Sequence, residues 1–218
     1  MIRVVIVDDE ALVRSGFEMI LNAAVDIEVV ASATGAQAVA TIEREHPHVV
    51  LLDIRMPDMD GLAVLDAVRD LTDPPVVAML TTFDSDEYIV SALRSGAAGF
   101  VLKDTEPELL ARLVRTLAAG GVVLSPKASA ALLSGTELID TAEVARIDLL
   151  TDRERKVLTL LAEGLSNAEI GHRVHLSVGT VKDTISAIFT KLRVTNRVTA
   201  ALLAQRGGLL SRHKHEPR

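Results

Sequence analysis

The sequence predicts two domains. The first is a doubly wound α/β domain on a five-stranded parallel sheet, and the second is a small all-α helix-turn-helix domain. Three observations carry this reading. Short β-branched runs alternate with segments of helical spacing through the first ~120 residues. Beyond residue 148 the runs stop and helix-start signals take over. The charge also reverses. Residues 1–147 hold 11 Lys+Arg against 23 Asp+Glu, a net −12, whereas 148–218 hold 12 against 7, a net +5, which together give the chain's −7. Opposite charge in two halves points to different partners, and a basic half attracts a polyanion.

The strands read in order as 3–7 (RVVIV), 27–31 (IEVVA), 48–52 (HVVLL), 76–80 (VVAML) and 99–102 (GFVL). These near-continuous apolar runs suit parallel strands covered on both faces. Helical spacing fills the gaps at about 11–22, 35–45, 61–70, 85–95 and 106–119. These segments supply the crossovers that parallel strands need. This domain spans 1–120. A linker follows over 121–147, in which SPKASAALL (125–133) predicts a short helix with Ser125 as cap and Pro126 at its first position.

The back domain, 148–210, opens with Thr151-Asp-Arg-Glu154, a capping box for a helix to about 163 that Gly164 stops. Ser166-Asn-Ala-Glu169 is a second capping box, for a short helix to about 172. Ser177 caps a third helix ending near Leu192, and Asn196 opens a fourth closed by Gly207-Gly208. Two short helices and a longer one joined by tight turns read as helix-turn-helix. The tail 211–218 (SRHKHEPR) is expected to be disordered.

Several classes are excluded or disfavoured. The chain has no cysteine, so disulfides and thiolate metal sites are ruled out. No window approaches the roughly 18 apolar residues of a membrane span. The opening MIRVVIVDDE turns acidic too early for a signal peptide. A cytoplasmic protein without a membrane partner is expected. Aromatic residues make up 2% of the chain, which disfavours base stacking as a binding mode.

Ligand sites of open parallel sheets lie beyond the carboxyl ends of the strands. Asp8, Asp9, Asp53, Thr81 and Lys103 all fall at those ends. Converging carboxylates raise one another's pKa values unless a cation lies among them. Magnesium fits, being a hard ion held by one or two carboxylates, waters and a phosphate. A carboxylate nucleophile, a hydroxyl and an ammonium at the same rim make a phosphoryl-transfer site. Each residue alone has a blander reading, as a strand-end cap, a β-branched filler or a solvated lysine. Together the five make that reading weak.

The motifs DD after strand one, LLDIRMPDMDG around strand three, LTTFD after strand four and GFVLKD at strand five resemble a two-component receiver domain over about 1–120. The resemblance implies a flavodoxin-like fold with Asp53 as phospho-acceptor for a sensor histidine kinase. It implies Mg2+ on Asp9, Asp53 and the Arg55 backbone carbonyl, with Asp8 acting through water. Thr81 and Lys103 would hold the phosphoryl oxygens, and Thr81 and Phe100 would be the switch pair. Many receivers carry tyrosine where Phe100 stands, and proline where Asp104 stands.

In 177–192 (SVGTVKDTISAIFTKL) the apolar stripe Val178, Val181, Ile185, Ile188, Phe189 and Leu192 is expected to pack as core. The opposite face carries Lys182, Asp183, Ser186 and Thr190, a surface suited to a major groove. The segment LTDRERKVLTLLAEGLSNAEIGHRVHLSVGTVKDTISAIFTKL resembles a LuxR-type helix-turn-helix over about 148–210. With the receiver it resembles a response regulator of the NarL/FixJ type. Many members have TVKxHV; Thr184 stands at the histidine position here. The resemblance implies that Lys182, Asp183 and Ser186 face base edges of a double-stranded operator. It places Ser177, Thr180, Lys191 and Arg197 at phosphates, and pairs Val198, Ala201, Leu202 and Gln205 with a second copy. A homodimer forming on phosphorylation is expected.

The rival reading from another class is a magnesium-dependent phosphohydrolase using an aspartyl phosphate. It needs a second acid two residues after the nucleophile, where Arg55 stands, and leaves the helix-turn-helix unused. A degenerate, phosphate-independent receiver is disfavoured by the presence of all five rim residues. A sensor of a small hydrophobic signal is disfavoured by their polarity. Catalysis is expected only in the receiver's own phosphoryl transfer and dephosphorylation. His46, His48, His172, His175, His213 and His215 read as solvated or capping residues.

Overall fold

A computed structural model describes residues 1–82, 86–123 and 144–210; the helix expected at 125–133 and the tail at 211–218 lie outside them. The described residues fall into two units.

The N-terminal unit alternates strands β1 (Ile2–Val7), β2 (Ile27–Ala33), β3 (Val49–Asp53), β4 (Val76–Thr81) and β5 (Gly99–Leu102) with helices. These are α1 (Ala11–Asn22), a 3-10 turn (Gly35–Gln37) running into α2 (Ala38–Glu45), α3 (Gly61–Arg69), α4 (Asp86–Ser95) and α5 (Pro107–Ala118). The sheet is parallel, in the order β2-β1-β3-β4-β5. The order reverses between β1 and β3, so the ends of these neighbours form the crevice of a doubly wound sheet. Val4–Val7 and Val49–Leu52 are fully buried. On one face Val4, Ile6, Val49, Leu51, Ala78 and Leu80 pack under Phe17 and Leu21 of α1 and Leu110, Val114 and Leu117 of α5. Alternate residues point to the opposite face, where α2, α3 and α4 pack side by side.

The C-terminal unit begins with a 3-10 turn (Ala145–Leu149), followed by α6 (Asp152–Ala162), α7 (Asn167–Val174), α8 (Val178–Leu192) and α9 (Arg197–Arg206). Its core joins Ile147, Val157, Leu158, Leu161, Ile170, Val181, Ile188, Leu192 and Leu203. Both expected capping boxes form, Thr151 with Glu154 and Ser166 with Glu169. Ser177 caps α8 and Asn196 caps α9. Helix α6 stops at Gly164, whose φ of +89° lets Leu165 N–H donate to the Leu160 carbonyl and Gly164 N–H to that of Leu161.

Of the linker expected over 121–147, only the two ends lie within the described residues. Val123 pairs with Gly99 beside β5 and joins the sheet core. At the other end Ile147 is buried in the helical core. Apolar residues spaced too sparsely to show a period were captured by tertiary packing. His46 and His175 end α2 and α7 in left-handed conformation, with φ of 45° and 55°, so they cap as expected. Among the described residues every peptide bond is trans, including the one between Lys103 and Asp104. No helix among them is long and apolar enough to cross a membrane.

Candidate phosphoryl-transfer and nucleic-acid sites

The pairing of β1 with β3 carries both strands' carboxyl ends to one place. Asp8, Asp9 and Asp53 there each offer an oxygen within 4.8 Å of the others. Asp8 is fully buried, Asp53 nearly so, and Asp9 is half-buried. Lys103 reaches in from the end of β5, with Nζ 3.0 Å from Asp53 Oδ2, 2.8 Å from Asp8 Oδ2 and 3.3 Å from Glu10 Oε1. Thr81 is buried at the end of β4, and Lys103 N–H donates to its carbonyl at 2.9 Å. Phe100 is buried in β5.

Local hydrogen bonds orient the acids. Asp8 Oδ1 accepts from Glu10 N–H at 2.9 Å, and Asp53 Oδ1 from Arg55 N–H at 3.4 Å. Arg14 Nη1 donates to the Asp8 carbonyl at 2.7 Å and the Asp9 carbonyl at 3.0 Å. The Arg55 guanidinium lies 5.2 Å from the ring centroid of Tyr88. Gly61 lets α3 start hard against β3, since a Cβ there would collide with the Asp53 carbonyl.

Burial pushes the Asp53 carboxyl above its ordinary range; the Lys103 hydrogen bond pulls it back and the Asp8 charge pushes it further up. Burial pulls Lys103 down, but its bonds and attraction to Asp8 and Asp53 prevail and hold it above its usual range. The cluster is not fully satisfied. Lys103 Nζ pairs with Asp8 Oδ2 as an ion at 2.8 Å, yet this buried oxygen has no hydrogen-bond partner. Three carboxylates with oxygens within 4.8 Å of one another, one of them carrying a buried oxygen with no hydrogen bond, make a donor set for a hard divalent ion. The residues present therefore fit magnesium.

In the C-terminal unit, α8 buries Val181, Ile185, Ile188 and Leu192 and exposes Lys182, Asp183 and Ser186. Ser186 Oγ donates to the Lys182 carbonyl at 3.1 Å and Thr190 Oγ1 to the Ser186 carbonyl at 3.0 Å. Their hydroxyl hydrogens are thus used within the helix, which leaves oxygen lone pairs facing outward. Thr184 Oγ1 donates likewise to the Thr180 carbonyl at 2.7 Å. Ser177 accepts from Thr180 N–H at 3.1 Å as the cap.

Two expectations for this unit are corrected. Val178, read as core, is 45% exposed, because the first turn of α8 extends past its packing partners. Arg197, read as a phosphate contact, is buried. Its guanidinium donates to Asn167 Oδ1 at 3.2 Å, to the Leu161 carbonyl at 3.4 Å and to the Leu165 carbonyl. It thereby ties α9 to the end of α6 and the start of α7. Burial lowers its pKa to about 10, against the attraction of Glu169, and it stays charged at neutral pH. Lys191, also read as a phosphate contact, is 38% exposed and ion-pairs with Glu154 at 2.7 and 2.8 Å.

The N-terminal unit matches the model of the response regulator receiver domain over residues 4–115, and the C-terminal unit that of bacterial regulatory proteins of the luxR family over 148–204. The transcriptional regulatory protein LnrK of Bacillus subtilis is 35% identical, with 96% of this chain and 99% of that protein covered. The nitrate/nitrite response regulator protein NarL of Escherichia coli K12 is 34% identical over 91% and 93%. The crystal structure of ChrA, the response regulator of a heme-sensing two-component system, is 34% identical, covers 95% of this chain and 98% of that one, and superposes with a TM-score of 0.52. The chain belongs to the two-component response regulators. It is of the NarL/FixJ type, a transcriptional regulator with a receiver followed by a LuxR-type DNA-binding domain.

Within this response regulator the fold brings together Asp8, Asp9, Asp53, Thr81 and Lys103 at one sheet edge. Sequence reasoning missed Arg14 and Glu10 as neighbours of that cluster. The available signal was helical phase: Arg14 lies one turn into α1, and its side chain reaches back over the turn N-terminal to it. Nothing in the sequence marked Arg197 as internal, since its acceptors are two main-chain carbonyls and an amide oxygen 30 to 36 residues away.

Proposed function

We propose that Asp53 accepts a phosphoryl group from the phosphohistidine of a sensor histidine kinase, with Mg2+ held by Asp9, Asp53 and the Arg55 carbonyl, and Asp8 acting through water. A carboxylate oxygen of Asp53 forms the new P–O bond as the P–N bond to the donor imidazole breaks. Magnesium, when bound there, would supply Lewis-acid stabilisation of the phosphoryl oxygens' charge. The Lys103 ammonium, now shared between Asp8 and Asp53, turns to one phosphoryl oxygen, and the Thr81 hydroxyl donates to another. The Phe100 ring follows Thr81 inward; lacking a hydroxyl, it makes no new hydrogen bond. The observation that carries this reading is the buried, incompletely satisfied Asp8–Asp53–Lys103 cluster at the switch point.

The output is a homodimer on double-stranded operator DNA in the cytoplasm, with Lys182, Asp183 and Ser186 of α8 facing base edges and Ser177 and Thr180 at phosphates. One helix-turn-helix makes few base contacts. Joining two raises avidity by roughly 10²–10⁴ without a new contact. One experiment tests both parts. Acetyl phosphate with Mg2+ should add one phosphoryl mass to the intact protein and none to Asp53→Ala. Light scattering on the same samples should show a dimer only in the first. Incorporation into Asp53→Ala would overturn the acceptor assignment. A phosphorylated protein that stays monomeric, both free and on DNA, would overturn the dimer.

A further inference from the structure

We infer that Arg14 is a positioning residue for the divalent cation, acting through the main chain of the two acids that precede α1. The inference rests on the metal reading of Asp8, Asp9 and Asp53. Strand β1 pairs with β2 and β3 only as far as Val7. Beyond it Asp8 N–H still donates to the Ala33 carbonyl at 3.1 Å, and the ladder then ends. The Asp8 and Asp9 carbonyls are met instead by one nitrogen of Arg14, at 2.7 and 3.0 Å. Two adjacent peptide planes are thereby fixed by a single planar group.

The consequence reaches the carboxylates. The direction in which Asp8 and Asp9 project depends on those planes, because each Cβ is rigidly attached to them. Asp8 is also tied by its Oδ1 to Glu10 N–H at 2.9 Å. Its Oδ2 faces the Lys103 ammonium at 2.8 Å without a hydrogen bond, and Asp8 still offers an oxygen within 4.8 Å of Asp9 and Asp53. The entry to α1 offers no other anchor of this kind, since its capping position, Glu10, makes no side-chain cap. Arg14 thus does at this turn what a cap does elsewhere, and the object it orients is the pair of acids.

The sign of the effect separates this role from a charge effect. A cation near a metal site repels the metal, so removing the Arg14 charge alone would tighten metal binding. Losing an orienting partner outside the ligand shell typically weakens it 10–100-fold. The two mechanisms move affinity in opposite directions.

The test uses the full chain and Mn2+ alone, with free Mn2+ counted by its EPR signal, and far-UV circular dichroism to establish folding. Wild type binds one ion, and Arg14→Ala should bind 10–100-fold more weakly. Arg14→Lys keeps the charge and a single nitrogen that could meet both carbonyls, but on a shorter and non-planar head, so it should recover part of the affinity. It also serves as the readout should Arg14→Ala fail to fold. Equal or tighter binding in a folded Arg14→Ala, or full wild-type affinity in Arg14→Lys with Arg14→Ala unfolded, overturns the positioning role. Absence of binding in wild type overturns the metal reading itself, and this inference with it.

Discussion

The two units bury charge to opposite ends. In the receiver, Asp8, Asp53 and Lys103 are drawn out of water at the strand ends, and one carboxylate oxygen is left without a hydrogen bond. In the DNA-binding unit Arg197 is also buried, yet it donates to two carbonyls and an amide oxygen. A buried charge that is satisfied holds architecture together. A buried charge with an open position is built for something that arrives. The residues of the second unit that suit a partner lie instead on an exposed helix face, where no burial marks them.

The strongest attempt to break this contrast targets Arg197. If it is internal architecture, Arg197→Ala deprives the Leu165 carbonyl and Asn167 Oδ1 of their guanidinium donor and opens a void. The helical unit should lose about 2–4 kcal/mol. Urea unfolding of the full chain should show the C-terminal transition moving early while the receiver's stays put. The folded variant should keep the wild-type dependence of DNA affinity on salt. Unchanged stability with a salt slope smaller by about 1 would make Arg197 a phosphate contact after all.

The converse experiment uses Lys182, exposed on α8. Lys182→Ala should leave stability within about 0.5 kcal/mol of wild type, as surface substitutions do. It should cost about 1–3 kcal/mol on the tightest duplex recovered from a randomised library, and relax preference at one base pair. A uniform loss on all sequences would move Lys182 to a phosphate. Stability lost in one variant and specificity in the other would sharpen the division between buried tie and exposed reader.

The same division explains what the sequence made legible. Strand ends are set by apolar runs that stop abruptly, so VVIVDD and VVLLD already put Asp8, Asp9 and Asp53 at one rim once the sheet order is assumed. Capping boxes are local, so Thr151–Glu154 and Ser166–Glu169 could be read directly. Roles that depend on long-range main-chain acceptors could not. Arg197 bonds to carbonyls 32 and 36 residues away. A basic residue in a basic domain reads as a DNA contact until its acceptors are seen. Val178 fails for the opposite reason: its phase on the helix is right for the core, but the neighbouring packing ends before it.

The smallest effect concerns Glu154, where a cap and an ion pair meet. Its carboxylate accepts from Lys191 Nζ at 2.7 Å and from Thr151 N–H at 2.8 Å. The Lys191 bonds first, then those of Thr151, hold it below the usual carboxylate range, against a small opposing effect of burial. A carboxyl lowered in the folded state stabilises that state fully above its unfolded value, about 4.3. The contribution drains away as pH falls through the lower folded value. Lys191 is 38% exposed, so the ion pair itself adds little in water. Most of the gain, about 1 kcal/mol, belongs to the capping box. The C-terminal transition of wild type should therefore move earlier in urea as pH drops from about 5 to about 3. Glu154→Gln should begin lower at neutral pH and lack that component of the decline. The receiver's transition should be the same in both proteins at every pH. An acid profile unchanged by Glu154→Gln would show that the box stabilises through its shape rather than its charge.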